Sequence, residues 1–220
     1  MSRATWIRNV RIVDPAGARD ETGDLYFANG ALATVPDLPP AACTIIDGTG
    51  QVAAPGLWDI HVHLREPGFE DAETVETGSR SAAHGGFTTI VGMPNTRPAL
   101  DTPEWVRAIM DKGRQDGYAN VLTTACITRD RAGQELAPLA ELAAAGAVAF
   151  TDDGCTVPTA ELMGRAMEQA RDLDRVIMDH AQDQAYEQNG VMHEGEYSRK
   201  YGIPGIPTIA ETSIIRRDAE

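Results

Sequence analysis

From Leu57 onward the chain alternates between short apolar runs and longer stretches of helical periodicity. Strand-like runs begin near Leu57, Phe87, Asn120, Ala147 and Val176. The interval of about thirty residues is that of a βαβ unit. Between the runs the punctuation is helical. Residues 72–84 read as a helix closed by Gly85-Gly86, Thr102-Pro103 supplies an N-cap and first-turn proline for the next, Gln134–Ala145 closes on Gly146, and Thr159–Leu173 completes the series. Near the end, Thr208-Ile209-Ala210-Glu211 has the form of a capping box, and Ile209, Ile214 and Ile215 give the following segment a partly apolar face.

The first 54 residues follow a different rhythm. Trp6–Val13, Asp24–Phe27, Ala31–Val35 and Thr44–Ile46 read as short strands broken by Pro, Gly and Asp turns. A small β unit over residues 1–54 and an α/β unit over 55–220 are therefore expected. Repeated β/α units with buried apolar strands imply a parallel sheet, either doubly wound or closed into a barrel, and spacing does not choose between them. A complete (β/α)₈ barrel usually needs about 250 residues. About 165 remain after the N-terminal strands, so five strands fit and eight do not.

Composition narrows the function classes. A formal charge of −14 and a pI near 4.7 would repel a phosphate backbone, and no Lys/Arg cluster offsets them, so nucleic acid is not an expected partner. Cys43, Cys126 and Cys155 are widely spaced and form no Cys-x-x-Cys, which indicates neither a disulfide framework nor a cysteine zinc site. No apolar run approaches membrane-spanning length. A cytoplasmic location is the expectation.

The candidate chemistry lies where α/β folds build their sites, at the C-terminal ends of the strands. The first strand delivers His61, His63 and Arg65, the second Met93-Pro94-Asn95-Thr96, the fourth Thr151-Asp152-Asp153-Gly154 and the fifth Asp179-His180. A strand's period of two sends the imidazoles of His61 and His63 to one side. Two converging imidazoles suit a zinc ion. Each residue alone has a bland reading, as a packed histidine or a turn former. Four polar clusters at one rim are a much rarer coincidence. His84, at the end of a helix, reads as structural, and His193 as a loop residue. Asp59 and Asp179 receive no role.

Pro55-Gly56-Leu57-Trp58-Asp59-Ile60-His61-Val62-His63-Leu64-Arg65-Glu66-Pro67-Gly68, Gly85-Gly86-Phe87-Thr88-Thr89 and Met93-Pro94-Asn95-Thr96 resemble the dihydroorotases of the amidohydrolase superfamily. Phe150-Thr151-Asp152-Asp153-Gly154, Asp179-His180 and Met192-His193-Glu194-Gly195 through Pro207 extend the likeness in order. The resemblance implies a (β/α)₈ TIM barrel of the metal-dependent hydrolase type, with about five strands present, flanked by a small N-terminal β-sandwich portion. It implies an enzyme of pyrimidine biosynthesis that interconverts N-carbamoyl-L-aspartate and dihydroorotate. Position by position, it implies that His61, His63, Asp153 and His180 hold one or two Zn²⁺ ions and that Arg65 and Asn95 hold the substrate carboxylate.

Hydantoinases and allantoinases typically carry a carboxylated lysine where this chain has Asp153, which favours dihydroorotase over those relatives. The family's further histidine ligand and its general acid/base aspartate match nothing up to Glu220, so the catalytic acid/base is unassigned. The chain is expected to be an N-terminal half, inactive and poorly soluble alone. A homo-oligomer or a complex with aspartate transcarbamoylase is compatible with the resemblance. Two other classes stay open: a non-catalytic dihydroorotase-like partner of that transcarbamoylase, and a hydantoinase or allantoinase.

Overall fold

The structure is a computed structural model that describes residues 4–37, 39–187 and 189–220. The chain divides into two compact units, Met1–Gly56 and Leu57–Glu220.

The first unit is one sheet. Strand β1 (Thr5–Asp14) lies antiparallel to β2 (Arg19–Ala28), which pairs with β3 (Ala31–Ala33). On its other side β1 runs parallel to β4 (Thr44–Asp47) and then to β5 (Val52–Ala53). Strand β2 begins five residues before the expected Asp24, because Arg19–Thr22 are exposed and carry no apolar alternation to read. Strand β3 ends at Ala33, short of the expected Val35. A bulge at Arg8-Asn9 shifts the β1–β2 register, and Asn9 takes a φ of 54° there. Asp24 accepts hydrogen bonds from Asn9 N (3.0 Å) and Trp6 Nε1 (2.9 Å), pinning the bulge to the next strand.

The second unit is a run of β/α units: β6 (Leu57–Val62), α1 (Val75–His84), β7 (Phe87–Gly92), α2 (Pro103–Asp116), β8 (Asn120–Thr123), α3 (Leu139–Ala145), β9 (Ala149–Phe150), α4 (Ala160–Asp172) and β10 (Val176–Ile177). Strands β6, β7 and β8 are hydrogen-bonded and parallel, as are β9 and β10. A parallel bridge between Ala125 and Phe150 joins the two sets. The order is therefore β6-β7-β8-β9-β10, each strand beside its sequence neighbour, without the reversal that defines a doubly wound sheet. Beyond β10, β11 (Met192–His193) and β12 (Gly205–Ile206) form a small parallel pair around α5 (Glu196–Tyr201), and α6 (Ile209–Ala219) follows. His193, expected in a loop, thus lies on a short strand.

Local chemistry sets the helix limits. Helix α1 starts at Val75, three residues later than expected, because Thr74 and Thr77 cap each other reciprocally and Glu66 Oε2 accepts from Val75 N at 3.0 Å. Thr159 caps α4 through Leu162 N at 3.2 Å. The helix expected over Gln134–Ala145 is only α3. Pro138 lacks an N–H and biases its predecessor to extended backbone, so Leu136 pairs with Thr128 in an antiparallel bridge instead. Thr208 does not form the expected capping box, since it adopts helical φ/ψ and its side chain makes no cap bond.

Two apolar clusters fill the spaces between the sheet and its helices. Leu64, Val75, Ile90, Leu100, Ile109 and Val121 bury the sides of β6–β8 under α1 and α2. Phe150, Ile127, Leu139, Leu142, Val157 and Met163 bury β9 under α3 and α4. Each such side chain is worth about 1.5–3 kcal/mol on full burial. They hold the strand ends in fixed positions. The edge strands β6 and β10 leave Trp58, Ile60 and Val176 more than half exposed. No helix of the described residues is long and apolar enough to cross a membrane.

Candidate metal centre

The C-terminal end of β6 places His61 and His63, and the end of β9 places Asp153. Ligand atoms of these three residues all lie within 4.8 Å of one another. His61 Nε2 is 3.3 Å from Asp153 Oδ1, and His63 Nε2 is 3.7 Å from Oδ2. The two imidazoles meet edge to face with centroids 5.4 Å apart. The Asp153 side chain is 8% exposed while that of His61 is 48% exposed, so the carboxylate forms the floor of a site whose imidazoles face outward.

His180, from the end of β10, reaches the same carboxylate, with Nδ1 3.9 Å from Asp153 Oδ1. It lies outside the tight group of three. The donor set of two imidazole nitrogens and one carboxylate oxygen is of the kind that zinc takes. On that chemistry the residues fit a divalent transition metal.

Asn95 sits between two members of the group. Its Nδ2 donates to Asp153 Oδ2 at 2.7 Å and its Oδ1 lies 3.1 Å from His63 Nδ1. With the amide so placed, His63 carries its proton on Nδ1 and leaves the Nε2 lone pair facing Asp153. The sequence pointed to Asn95 as a carboxylate holder, whereas in this geometry both ends of its amide are engaged within the centre. Arg65, its expected companion, is half-buried at the rim with a φ of 60°, and its side chain makes no hydrogen bond or ion pair with the described residues. Backbone contacts fasten the loops that carry these two residues. Arg97 N donates to Pro67 O at 3.0 Å and Phe69 N to Arg65 O at 2.9 Å, and the Arg97 guanidinium lies over the Phe69 ring.

The loop after β9 is fixed from below. Asp152 is 2% exposed and accepts from Ile127 N (2.8 Å), Thr128 N (3.0 Å) and the Thr128 hydroxyl. Burial pushes its carboxyl above the ordinary range even so, against the pull of those bonds and of Arg131. Arg131 in turn donates Nε to Asp152 O at 3.3 Å, and its terminal nitrogen to Asp153 O and to Cys155 Sγ. The sequence put Asp152 in the strand-four cluster without a role, and Arg131 did not stand out. Asp152 was hidden beside Asp153, and Arg131 sits in a Thr-Arg-Asp-Arg-Ala-Gly stretch with no periodic or motif signal.

Asp59, without an expected role, accepts from His61 N at 3.1 Å and so steadies the end of β6. Asp179 is pushed up to about 6 by burial and then by the nearby Asp218 carboxylate. His84 is exposed at the last residue of α1, away from the cluster's strand ends. A cavity of about 870 Å³ lies at the opposite end of the sheet, lined by Trp58, Phe87, Met110, Tyr118 and Asn120. Among the described residues its lining includes no histidine, cysteine or carboxylate.

The family model described as dihydro-orotase-like matches residues 50–219. A dihydroorotase of Solibacter usitatus is 46% identical over 213 residues, which cover 96% of this chain and 50% of that protein. One from Halalkalibacterium halodurans is 42% identical, with 97% and 50% covered. The chain spans about half the length of the curated relatives it matches. Among solved structures, the L-hydantoinase (dihydropyrimidinase) of Arthrobacter aurescens superposes with a TM-score of 0.76 at 20% identity, over 97% of this chain and 49% of that one. The dihydropyrimidinase of Brevibacillus agri gives 0.68 at 18% identity, over 98% and 50%. At such identities the likeness is one of fold.

Proposed function

This chain belongs to the dihydro-orotase-like family, and on that premise we propose that it supplies the metal centre and carboxylate grip of a dihydroorotase, which interconverts N-carbamoyl-L-aspartate and dihydroorotate. The observation that carries the reading is the convergence of His61, His63 and Asp153 from the ends of β6 and β9. The consecutive order of five parallel strands supports a (β/α)₈ barrel over residues 55–220 and onward, with the N-terminal sheet as part of a small β-sandwich.

In this reading His61, His63 and Asp153 would hold a zinc ion, and His180, 3.9 Å from the same carboxylate, would serve a second one. Bound there, zinc would supply Lewis-acid polarisation of an amide carbonyl and a lowered pKa for water. The chain's own residues do the rest of the assigned work. Asn95 fixes the tautomer of His63 and the rotation of Asp153. The unpaired Arg65 guanidinium offers a planar fork to the substrate carboxylate, which it can grip bidentately. In that complex Asn95 would turn one amide contact from the centre toward the same carboxylate. No general acid or base is assigned among residues 1–220.

The experiment is an assay of the zinc-loaded product of the complete reading frame, with N-carbamoyl-L-aspartate, dihydroorotate, hydantoin and allantoin offered in parallel. Turnover of the first pair, lost in H61A together with bound zinc, is the expected result. Turnover of hydantoin or allantoin without dihydroorotate would overturn the substrate assignment. Failure of the wild type to bind zinc would overturn the centre itself.

A further inference from the structure

Asp153 is the one carboxylate of the tight metal group, and four side chains converge on it: His61 and His180 at Oδ1, His63 and Asn95 at Oδ2. Its direction is set by the backbone of residues 152–154, because a short aspartate side chain has little freedom of its own. That backbone is held from outside β9. The loop after β8 reaches across and donates to it at several points. Thr128 donates to the Asp152 carboxylate, and Arg131 donates to the carbonyls of Asp152 and Asp153 and to Cys155 Sγ.

Several features show that the loop is built to deliver this guanidinium. Asp130 and Arg131 both adopt the left-handed region, at φ 51° and 58°, which for non-glycine residues costs about 1–2 kcal/mol each. Such a conformation persists only where the surroundings enforce it. Here Asp101 Oδ2 accepts from Asp130 N at 2.8 Å, and the Thr128 hydroxyl accepts from Gly133 N at 2.9 Å. On the receiving side Gly154 has a φ of +78°, and a Cβ there would stand 3.3 Å from the guanidinium nitrogen. Glycine thus leaves the space that Arg131 fills. One planar fork spans the backbone from Asp152 to Cys155, which a single ammonium cannot do.

We propose that Arg131 is a positioning residue for the metal centre: it locks the backbone that aims the Asp153 carboxylate at His61 and His63. It touches neither metal nor substrate and acts only through Asp153. The inference rests on the reading of His61, His63 and Asp153 as metal ligands, and adds to it a residue from outside the ligand set.

The test is titration of the metal-free product of the complete reading frame with Co²⁺, followed by visible absorption and by chelator competition. The variants are R131Q, R131K and, as control, R129Q; Arg129 lies two residues away, where it pairs with Glu135. Loss of such an outer partner typically weakens metal binding about 10- to 100-fold, and that is the expectation for R131Q, with an altered cobalt spectrum. R131K should fall between, since its amine can serve one carbonyl at a time. R129Q should match wild type. In the zinc-loaded enzyme, R131Q should lower kcat more than it raises KM for dihydroorotate, because the Arg65 guanidinium of the carboxylate grip makes no contact with the backbone that Arg131 holds.

Wild-type cobalt affinity and spectrum in a folded R131Q would overturn the proposal. If circular dichroism shows R131Q unfolded, R131K decides, and wild-type behaviour there overturns it equally. Unfolding of both variants would also overturn it, by making Arg131 a residue of the fold alone. A wild-type protein that takes up no cobalt would instead refute the metal centre, and this inference would fall with it.

Discussion

Asp152 offers a sharp test of how the strand end beside the proposed metal centre is held, because two substitutions at this residue separate hydrogen bonding from charge. The carboxylate is 2% exposed and is the acceptor for Ile127 N and Thr128 N, both on residues with no exposure. D152A leaves these two backbone donors without an acceptor. Each orphaned buried donor costs about 1–3 kcal/mol, so the variant should lose about 2–6 kcal/mol. D152N keeps a carbonyl oxygen where Oδ1 stands, and both backbone bonds survive. Only the bond from the Thr128 hydroxyl must be rearranged, and that hydroxyl already accepts from Gly133 N.

Removing the charge should be cheap, because burial already holds this carboxyl above its ordinary range and the site disfavours the ionised form. The expected loss for D152N is therefore about 1 kcal/mol, one ordinary hydrogen bond. Urea unfolding followed by circular dichroism, with chelator present so that metal binding adds nothing to stability, measures both. A D152A variant within about 1 kcal/mol of wild type would refute the hydrogen-bond account. A D152N as unstable as D152A would refute the charge account.

Two further outcomes follow from the geometry. Gly68 has a φ of +95°, and a Cβ there would lie 2.1 Å from Arg97 O, so G68A must push apart the loops that carry Arg65 and Asn95. A displacement of about 1 Å can cost about 100-fold in a positioned site; steady-state kinetics should show kcat/KM for dihydroorotate lowered, and an unchanged kcat/KM would discredit the clamp. In the first unit, the bonds from Asn9 N and then Trp6 Nε1 hold the Asp24 carboxyl below the usual carboxylate range. A depressed folded pKa gives stability that is present above the unfolded value of about 3.9 and lost as pH falls through the folded one. Acid titration of Trp6 fluorescence should therefore show a transition that D24N lacks, and identical acid midpoints would contradict the assignment.

The second unit's strand and helix alternation was legible because each β/α unit writes two signals at once. Apolar runs such as Phe87–Gly92 mark buried strands, and Gly85-Gly86, Thr102-Pro103 and Gly146 punctuate the helices between them. Where only one signal existed the reading slipped. Gln134–Ala137 carried helix-compatible residues, but Pro138 and the Thr128–Leu136 bridge made them extended, and that partner is distant from any local pattern. Arg19–Thr22 form a strand through backbone pairing with β1 while their side chains stay in water, so hydrophobic alternation had nothing to record. Order along the sheet was out of reach of spacing altogether, since it depends on which strands meet.

For the site, period two put the imidazoles of His61 and His63 on one side, chain order brought the cluster at 151–154 to the same rim, and only the family resemblance singled out Asp153 there. The residues that hold them there obey no such rule. The resemblance makes Asn95 a partner for substrate, and in this structure its amide bridges His63 and Asp153. Arg131 works through the direction of a guanidinium lifted by two left-handed residues, a conformation that side-chain identity does not announce. Ligands are visible in a sequence because metal chemistry restricts their types. Supports are not, because any donor that reaches the right carbonyl will serve, and reach is a property of the folded chain. The sequence of such a centre therefore discloses what could bind before it discloses what holds the binding groups in place, and substitutions at a silent position such as Arg131 are where structure adds most to prediction.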